Sequence, residues 1–261
     1  MSQLLRPRRL LHTCLLMLAA SSLWADARVV TIGTGEWPPY VVTEASYFGP
    51  IGEVIVKAFA SQDYNVRFVD LPWNRAFMML SNGDIHALMP AYCSKERGEA
   101  YHCSDTIMEG KQVLFHRKTL QFDWSTEEDL AGRSIGATLG YFYGDRFSEL
   151  EDSQLLNVIR TAKDETNIRL LSRGLIDLYP QDVAVGYSMI SNLLDPEDSS
   201  NLTHHPRPLH TESLHLLFRR DAEGKQLLNA FNSGLTQLSD DGQLEPLLEP
   251  LLYPEEAMEN P

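Results

Sequence analysis

The chain has 261 residues, of which 43% are hydrophobic, 9% aromatic and 22% charged. These fractions are typical of a globular protein and exclude a disordered, collagen-like or coiled-coil chain. Lysine and arginine total 22 against 36 aspartates and glutamates, and the formal net charge is -14. An acidic chain without a basic stripe repels a phosphate backbone, so nucleic acid is excluded as a partner.

The first 27 residues contain the three parts of a secretory signal peptide in the expected order. Three arginines precede an apolar stretch over residues 10–20, and Ala25-Asp26-Ala27 supplies the small residues of a cleavage site. The apolar stretch includes His12 and Thr13 and is shorter than the roughly 20 residues of a transmembrane helix. We therefore predict cleavage after Ala27 and a periplasmic protein that is not embedded in the membrane.

After the predicted cleavage site, strand patterns alternate with helix patterns. Predicted strands cover residues 29–34, 65–69 and 85–89, and predicted helices begin at Ile51 and Trp73, the second ending at Gly83. The middle and the end of the chain repeat this order, with strands at 112–116, 133–137, 175–179 and 215–218, a capped turn at 125–130, and helices at 167–173 and 227–238. This alternation predicts an α/β fold with parallel strands joined by crossover helices.

Motifs of catalysis and of cofactor binding are missing from the sequence. It contains no G-x-S-x-G, no G-x-x-x-x-G-K-[ST] and no H-E-x-x-H. Gly33-Thr34-Gly35 begins like a dinucleotide fingerprint, but Pro38 stands where the third glycine belongs. We predict a protein without a cofactor that is not an enzyme.

Five histidines are candidate metal ligands or core residues. His204, His205, His210 and His215 are close in sequence, but their surroundings indicate an exposed connection rather than a metal site. The lone His86 lies in an apolar stretch and is expected to be a hydrogen-bonded core residue.

Cys93 and Cys103 are the two cysteines that remain after the predicted cleavage. They could be two free, buried thiols, but in an oxidising compartment we favour a disulfide. Three cysteines in all are too few for a fold built on disulfides.

Four residues follow predicted strands, where α/β sheets place ligand contacts. Trp37 lies in the rigid Gly35-Glu36-Trp37-Pro38-Pro39-Tyr40 loop, Trp73 follows Leu71-Pro72, Arg97 follows the third strand, and Asp182 follows the strand that contains Asp177. Each alone has a structural explanation, as a core tryptophan or a solvated surface charge.

Together these segments resemble the family 3 extracellular solute-binding proteins, the amino-acid receptors of ABC importers with the type II periplasmic binding fold. The resemblance covers essentially the whole chain after the predicted signal peptide. It includes the Gly33–Tyr40 segment, Trp73, Glu96-Arg97 followed by Cys103-Ser104, Leu130–Gly140, Asp177–Asp182, and the closing helix from Asn229 to Gly242.

The resemblance implies roles for six residues. Trp37 and Trp73 would cover the ligand, Arg97 would bind its α-carboxylate and Asp182 its α-amino group, which suits the chemistry of a cationic fork and an anionic acceptor. Tyr92 and Tyr141 stand in segments where the family has hydroxyl residues, so we expect them in a more aromatic ligand site. An aromatic or modified amino acid, or another small carboxylate, would fit as well as an ordinary amino acid.

The resemblance also implies two α/β lobes joined by two crossing strands. We expect lobe 1 at residues 28–116 and 212–261, lobe 2 at 117–211, and a hinge near Phe115–Arg117 and Ser213–Leu217. Ligand would close the hinge of a monomer that serves an ABC transporter permease. One alternative is a periplasmic lyase of the cyclohexadienyl dehydratase type with Glu36 as general acid, and another is a ligand-sensing module for a membrane receptor.

Overall fold

The computed structural model describes residues 28–251. The predicted signal peptide, residues 1–27, and residues 252–261 lie outside the described residues. Within the described range, no helix combines the length and the apolar character that a membrane crossing requires.

The described chain alternates strands and helices, as its hydrophobic pattern predicts. The strands are β1 (Arg28–Thr34), β2 (Tyr64–Asp70), β3 (Ala87–Tyr92), β4 (Tyr101–Cys103), β5 (Met108–Arg117), β6 (Ser134–Thr138), β7 (Asn157–Thr161), β8 (Leu178–Asp182), β9 (Leu202–His204) and β10 (His210–Arg219). The α-helices are α1 (Pro50–Ala60), α2 (Trp73–Asn82), α3 (Lys95–Ala100), α4 (Asp145–Asp152), α5 (Asp164–Ser172), α6 (Val183–Leu193), α7 (Pro196–Ser200), α8 (Ala222–Asp240) and α9 (Leu244–Leu248). Short 3₁₀ turns cover Ser46–Phe48, Glu127–Leu130 and Glu249–Leu251.

The sheet consists of two parallel halves joined by two antiparallel strands. Its strand order is β2-β1-β3-β10-β5-β8-β6-β7. β1 runs parallel to β2 and β3, and β6 runs parallel to β7 and β8. Between the halves, β10 and β5 run antiparallel to each other and to their outer neighbours.

The long strands β5 and β10 each pass from one half to the other. β5 pairs with β10 up to Gln112 and with β8 from Gln112 onward, while β10 pairs with β3 from Leu214 onward. Two α/β lobes therefore share a two-strand connection. The exact division of the chain, with lobe 1 at 28–116 and 212–261 and lobe 2 at 117–211, stays a proposal.

The largest apolar cluster joins buried residues of both lobes, and each lobe also has a smaller cluster of its own. In the first lobe α1 packs on α8, and Phe59 meets Phe231 at 5.5 Å between ring centroids. A Cβ at Gly234 would overlap the Ala58 carbonyl, so glycine permits this close helix contact. In the second lobe, buried Leu130, Ile135, Phe147, Leu150 and Leu178 pack between the helices and the sheet.

Predicted boundaries were wrong in places. The strand expected at 175–179 begins only at Leu178, because Leu175 is 61% exposed in the turn that ends α5. As a result Asp177 precedes the strand and Asp182 is its last residue. Pro180 lies inside β8 and has no backbone N–H to donate. Because β6 pairs with β8 only at Ile135 and Leu178, this missing donor disrupts no hydrogen bond between the two parallel strands.

Candidate ligand-binding cleft

A cleft of about 490 Å³ lies between the two lobes. The first lobe contributes Gly35, Glu36, Trp37, Asp70, Leu71, Pro72, Trp73, Asn74, Met89, Pro90, Ala91, Tyr92, Arg97 and Leu214. The second lobe contributes Thr138, Leu139, Tyr141, Phe142, Ala162, Lys163, Asp164, Glu165 and Met189. Most of these residues follow the carboxyl ends of the parallel strands β1, β2, β3, β6 and β7, where open α/β sheets place their ligands.

The loop after β1 fixes the ring of Trp37. The main chains of Trp37 and Val41 exchange two hydrogen bonds of 3.0 Å, and the Pro38–Pro39 peptide bond is cis. The Trp37 ring lies 5.0 Å from the Tyr40 ring and 6.4 Å from the Tyr92 ring. With 8% of its surface exposed, Trp37 forms a rigid aromatic part of the first-lobe wall.

Arg97 is held on a short, braced segment. The Ser94 side chain caps α3 by accepting from the Arg97 backbone N–H, and the Cys93–Cys103 disulfide encloses the whole helix. The disulfide prediction is thereby confirmed. The Arg97 guanidinium lies over the Phe77 ring at 5.0 Å, within the range of a cation–π contact.

The Arg97 guanidinium also connects the two lobes. Nη1 donates to the Tyr92 carbonyl and Nη2 to the Gly140 carbonyl, each at 2.8 Å. Burial lowers the pKa of Arg97 to about 10, so the group stays protonated at neutral pH. Five N–H donors in a planar fork leave three for a ligand beside these two bonds.

Further contacts hold the lobes together across the cleft. Gly140 has a φ of 79°, and a Cβ there would overlap the Asn74 side chain, so glycine is required where the lobes meet. The Trp73 and Tyr141 rings lie 6.3 Å apart. The Tyr40 hydroxyl donates to Asp182 Oδ1 at 3.0 Å. The structure is thus a closed arrangement of the two lobes.

The carboxylate of Asp164 lies on the second-lobe wall of the cleft. Its Oδ1 accepts from the hydroxyls of Thr138 and Tyr179, and its Oδ2 accepts from the Tyr141 hydroxyl at 2.8 Å. Burial raises the pKa of Asp164, and these hydrogen bonds oppose the rise. Asp164 is only 5% exposed, yet it borders the cleft.

Asp182 is wholly buried and caps the N-terminus of α6. Its Oδ1 accepts from the backbone N–H groups of Ala184 and Val185 and from Tyr40, and its Oδ2 accepts from the Lys111 N–H at 3.2 Å. Burial raises the pKa of Asp182 to about 6, against the effect of these hydrogen bonds. Asp182 does not border the cleft.

Three polar atoms in the first-lobe wall are buried without a hydrogen-bond partner among the described residues. They are the indole nitrogens of Trp37 and Trp73 and the Tyr92 hydroxyl. A buried polar group without a partner costs about 1–3 kcal/mol. These three atoms are buried within the wall, so the surface that it presents to the cleft is aromatic.

Five of the six predicted ligand residues line one cleft: Trp37, Trp73, Tyr92, Arg97 and Tyr141. Their roles toward a ligand stay predictions, as does that of Asp182, which the structure places in the helix cap. Sequence analysis missed Asp164 because it missed β7. The β-branched residues of Asn157–Thr161, followed by two acidic residues at a helix start, could have revealed it.

The remaining candidates take part in local hydrogen bonds. Glu36 lines the cleft, and its Oε2 accepts from the Thr43 N–H at 2.8 Å and the Thr43 hydroxyl at 2.7 Å. His86 Nδ1 accepts from the Thr31 N–H at 2.9 Å. The predicted hydrogen bond of His86 is thus present, but His86 is half-buried and is not a core residue.

The four histidines near the end of the second lobe bond to four different partners. Their partners are Tyr187 for His204, Asp123 for His205, Glu212 for His210 and the Ser104 carbonyl for His215. Within residues 28–251, no cluster of His, Cys, Asp and Glu has the geometry of a metal site. The expected exposed connection was wrong for His205, which is buried.

Comparison with protein families gives a match over residues 30–251 to the bacterial extracellular solute-binding proteins, family 3. The chain belongs to this family. The predicted membership is thereby confirmed. A comparison with curated protein sequences found no match.

Solved structures of solute-binding proteins share the fold of this family member. A histidine kinase sensor domain similar to periplasmic binding proteins is 20% identical, with a TM-score of 0.76, over 87% of this chain and 97% of that one. An ancestral arginine-binding protein with bound arginine is 19% identical, with a TM-score of 0.73, over 86% and 98%. An ancestral amino-acid-binding protein, a precursor of cyclohexadienyl dehydratase, is 20% identical, with a TM-score of 0.67, over 85% and 94%. The predicted fold class, a type II periplasmic binding fold of two lobes, is confirmed.

Proposed function

We propose that this solute-binding protein captures an amino acid, or a related small carboxylate, between its lobes and delivers it to an ABC importer. The observation that carries the proposal is Arg97, a protonated guanidinium that borders the cleft and contacts both lobes. A planar guanidinium binds a carboxylate through two parallel hydrogen bonds.

The aromatic first-lobe wall supports the same proposal. Trp37, Trp73 and Tyr92 line the cleft with aromatic ring surface, which suits a small ligand with an apolar part beside its carboxylate. Charge-assisted hydrogen bonds contribute roughly 1.5–3 kcal/mol each once water is removed. A ligand that contacts both lobes would favour the closed arrangement by its differential affinity for that state.

The relatives support binding of small ligands without deciding the ligand. One similar structure was solved with arginine bound, another is a sensor domain, and a third is described as the precursor of an enzyme. We propose binding without turnover, and incubation with prephenate and arogenate tests this. Export to the periplasm and partnership with a permease belong to the same proposal.

The proposal is tested on protein purified from the periplasmic fraction of cells that express the full chain. Native mass spectrometry of the fresh protein identifies any ligand that purifies with it. After unfolding and refolding to remove that ligand, a thermal-shift panel tests the twenty amino acids and small carboxylates. At about a hundred times Kd, a true ligand should raise Tm by about 5–10 °C.

Two controls separate the alternatives. Incubation with prephenate and arogenate should leave both unchanged, and formation of product would establish a lyase instead. Uptake of the identified ligand should fall when the gene is deleted. Normal uptake together with altered signalling would favour a sensing module, and a panel without any stabilising compound would refute the amino-acid proposal.

A further inference from the structure

Asp164 is a buried carboxyl group on the cleft wall, and among the described residues no positively charged side chain hydrogen-bonds to it. In the described part of the chain its three hydrogen-bond partners are the hydroxyls of Thr138, Tyr141 and Tyr179, none of which is a cation. A buried carboxylate is costly unless it is paired with a positive charge. Because Asp164 borders the cleft, a ligand cation could provide that charge.

Other acids on the cleft lining are less suited to this role. Asp70 is exposed and Glu165 is half-buried, so water already solvates them and an ion pair there would contribute little. Asp164 is 5% exposed, and three hydroxyl donors fix the direction of its carboxylate. The attraction between a cation and a buried carboxylate is stronger than at an exposed site, because less water screens the two charges.

The charges on the cleft lining favour a ligand with a net positive charge. Four acids border the cleft against two bases: Glu36, Asp70, Asp164 and Glu165 against Arg97 and Lys163. A neutral amino acid carries one positive and one negative charge and leaves this excess in place, whereas the side chain of a basic amino acid adds a second positive charge. Asp164 is the buried one of the four acids, so an unpaired charge costs most there.

We propose that Asp164 binds the cationic side chain of a basic amino acid, an ammonium or guanidinium group, while Arg97 binds its carboxylate. This proposal rests on the proposed function, because it assigns the ligand class of the same cleft. It pairs Arg97 of the first lobe and the buried Asp164 of the second with the opposite charges of one ligand.

The test compares charged and uncharged ligands of the same shape. L-arginine and L-lysine, with L-citrulline and L-norleucine as their neutral counterparts, are titrated calorimetrically into refolded protein from the full expressed chain. Wild type should bind at least one of the two cations about tenfold or more tightly than its neutral counterpart. Asp164→Asn should reduce that preference to less than about threefold while it retains the neutral ligand.

Asp145→Asn is the matched control, since it removes one exposed acid of the same lobe that does not border the cleft. It should keep the full preference for the cation. If wild type binds amino acids but does not prefer the cation, or if Asp164→Asn keeps the preference, the proposal for Asp164 is wrong and the proposed function stands. If wild type binds neither an amino acid nor a small carboxylate of the thermal-shift panel, the proposed function itself is wrong, and the ligand class assigned to Asp164 is wrong with it.

A crystal structure of the wild-type complex makes the test independent of how Asp164→Asn folds. With L-arginine or L-lysine bound, a side-chain nitrogen should lie within about 3.2 Å of an Asp164 oxygen. A ligand cation placed on Asp70 or Glu165 instead would overturn the assignment.

Discussion

The two walls of the cleft are built by different means. The first-lobe wall is aromatic, contains the cation Arg97, and is braced by the Cys93–Cys103 disulfide. The second-lobe wall contains the anion Asp164, which is positioned by hydrogen bonds from three hydroxyls. One wall is thus braced by a covalent bond and the other by a polar network.

This difference bears on how closure could be coupled to binding. With a cation on one lobe and an anion on the other, a ligand would engage both charges only when the lobes meet. The equilibrium between open and closed forms shifts only as far as the ligand prefers one form. Changes to either wall should therefore weaken binding, but for different physical reasons.

Removal of the first-lobe cation should have the largest effect. Arg97→Ala deletes the carboxylate-binding fork and the hydrogen bond to the Gly140 carbonyl. Two charge-assisted hydrogen bonds correspond to a loss of about a hundredfold or more in affinity. Calorimetry with the ligand found in the thermal-shift panel should show this loss, and ligand-induced stabilisation should disappear.

Two other variants show whether the effect is specific. Arg97→Lys keeps the charge but not the planar fork, so affinity should fall less than in Arg97→Ala. Lys95→Ala removes an exposed cation from the same helix and should leave affinity unchanged. Stabilisation by ligand that survives in Arg97→Ala would remove Arg97 from the binding site.

Removal of the Cys93–Cys103 disulfide should have the next largest effect. Cys93→Ser/Cys103→Ser frees a loop of separation 10 that contains α3 and Arg97. A disulfide that closes a loop of this length contributes roughly 3 kcal/mol, and urea unfolding of the variant should show that loss. Affinity should fall as well, because Arg97 must then be ordered when the ligand binds.

The preference between two ligands is the control for the disulfide variant, because the hydrogen bonds that position Asp164 do not involve the disulfide. The preference for L-arginine over L-citrulline should survive in the double variant even as both affinities fall. Unchanged affinity for both compounds would mean that α3 holds Arg97 in place without the disulfide.

The first-lobe wall could be predicted from sequence to a large extent. Trp37, Trp73 and Arg97 each follow a strand whose apolar pattern is clear, and in a parallel sheet the carboxyl ends of such strands meet at one edge. Family resemblance added their roles. Local patterns therefore indicated which residues come together.

The second-lobe wall could not be predicted in the same way. β7 is an edge strand without a fully buried residue, and the strand predicted at 175–179 covers only the start of β8. The helix cap formed by Asp182 is local, through the N–H groups of Ala184 and Val185. The position of Asp164 depends instead on contacts between distant segments, and no periodicity in the sequence shows that an aspartate borders a cleft.

The last effect concerns pH and separates Asp182 from the cleft wall. Folding raises the pKa of Asp182 from 3.8 to about 6, so the folded protein holds this proton more tightly than the unfolded chain. Its contribution to stability is therefore present below pH 3.8 and lost as the pH rises through about 6. The loss is on the order of 3 kcal/mol. Asparagine can still cap α6, so Asp182→Asn should lack this component.

The measurement is the free energy of unfolding of wild type and Asp182→Asn in urea at several pH values without ligand. The difference between them should change across this interval, because the groups that hydrogen-bond to Asp182 in the structure are the Tyr40 hydroxyl and backbone N–H groups. A constant difference would show that Asp182 is ionised throughout and that its hydrogen bonds outweigh burial. If, in addition, Asp182→Asn retains the preference for a cationic ligand that Asp164→Asn loses, the two buried aspartates have separate roles. Asp182 then secures the closed fold, and Asp164 selects the ligand.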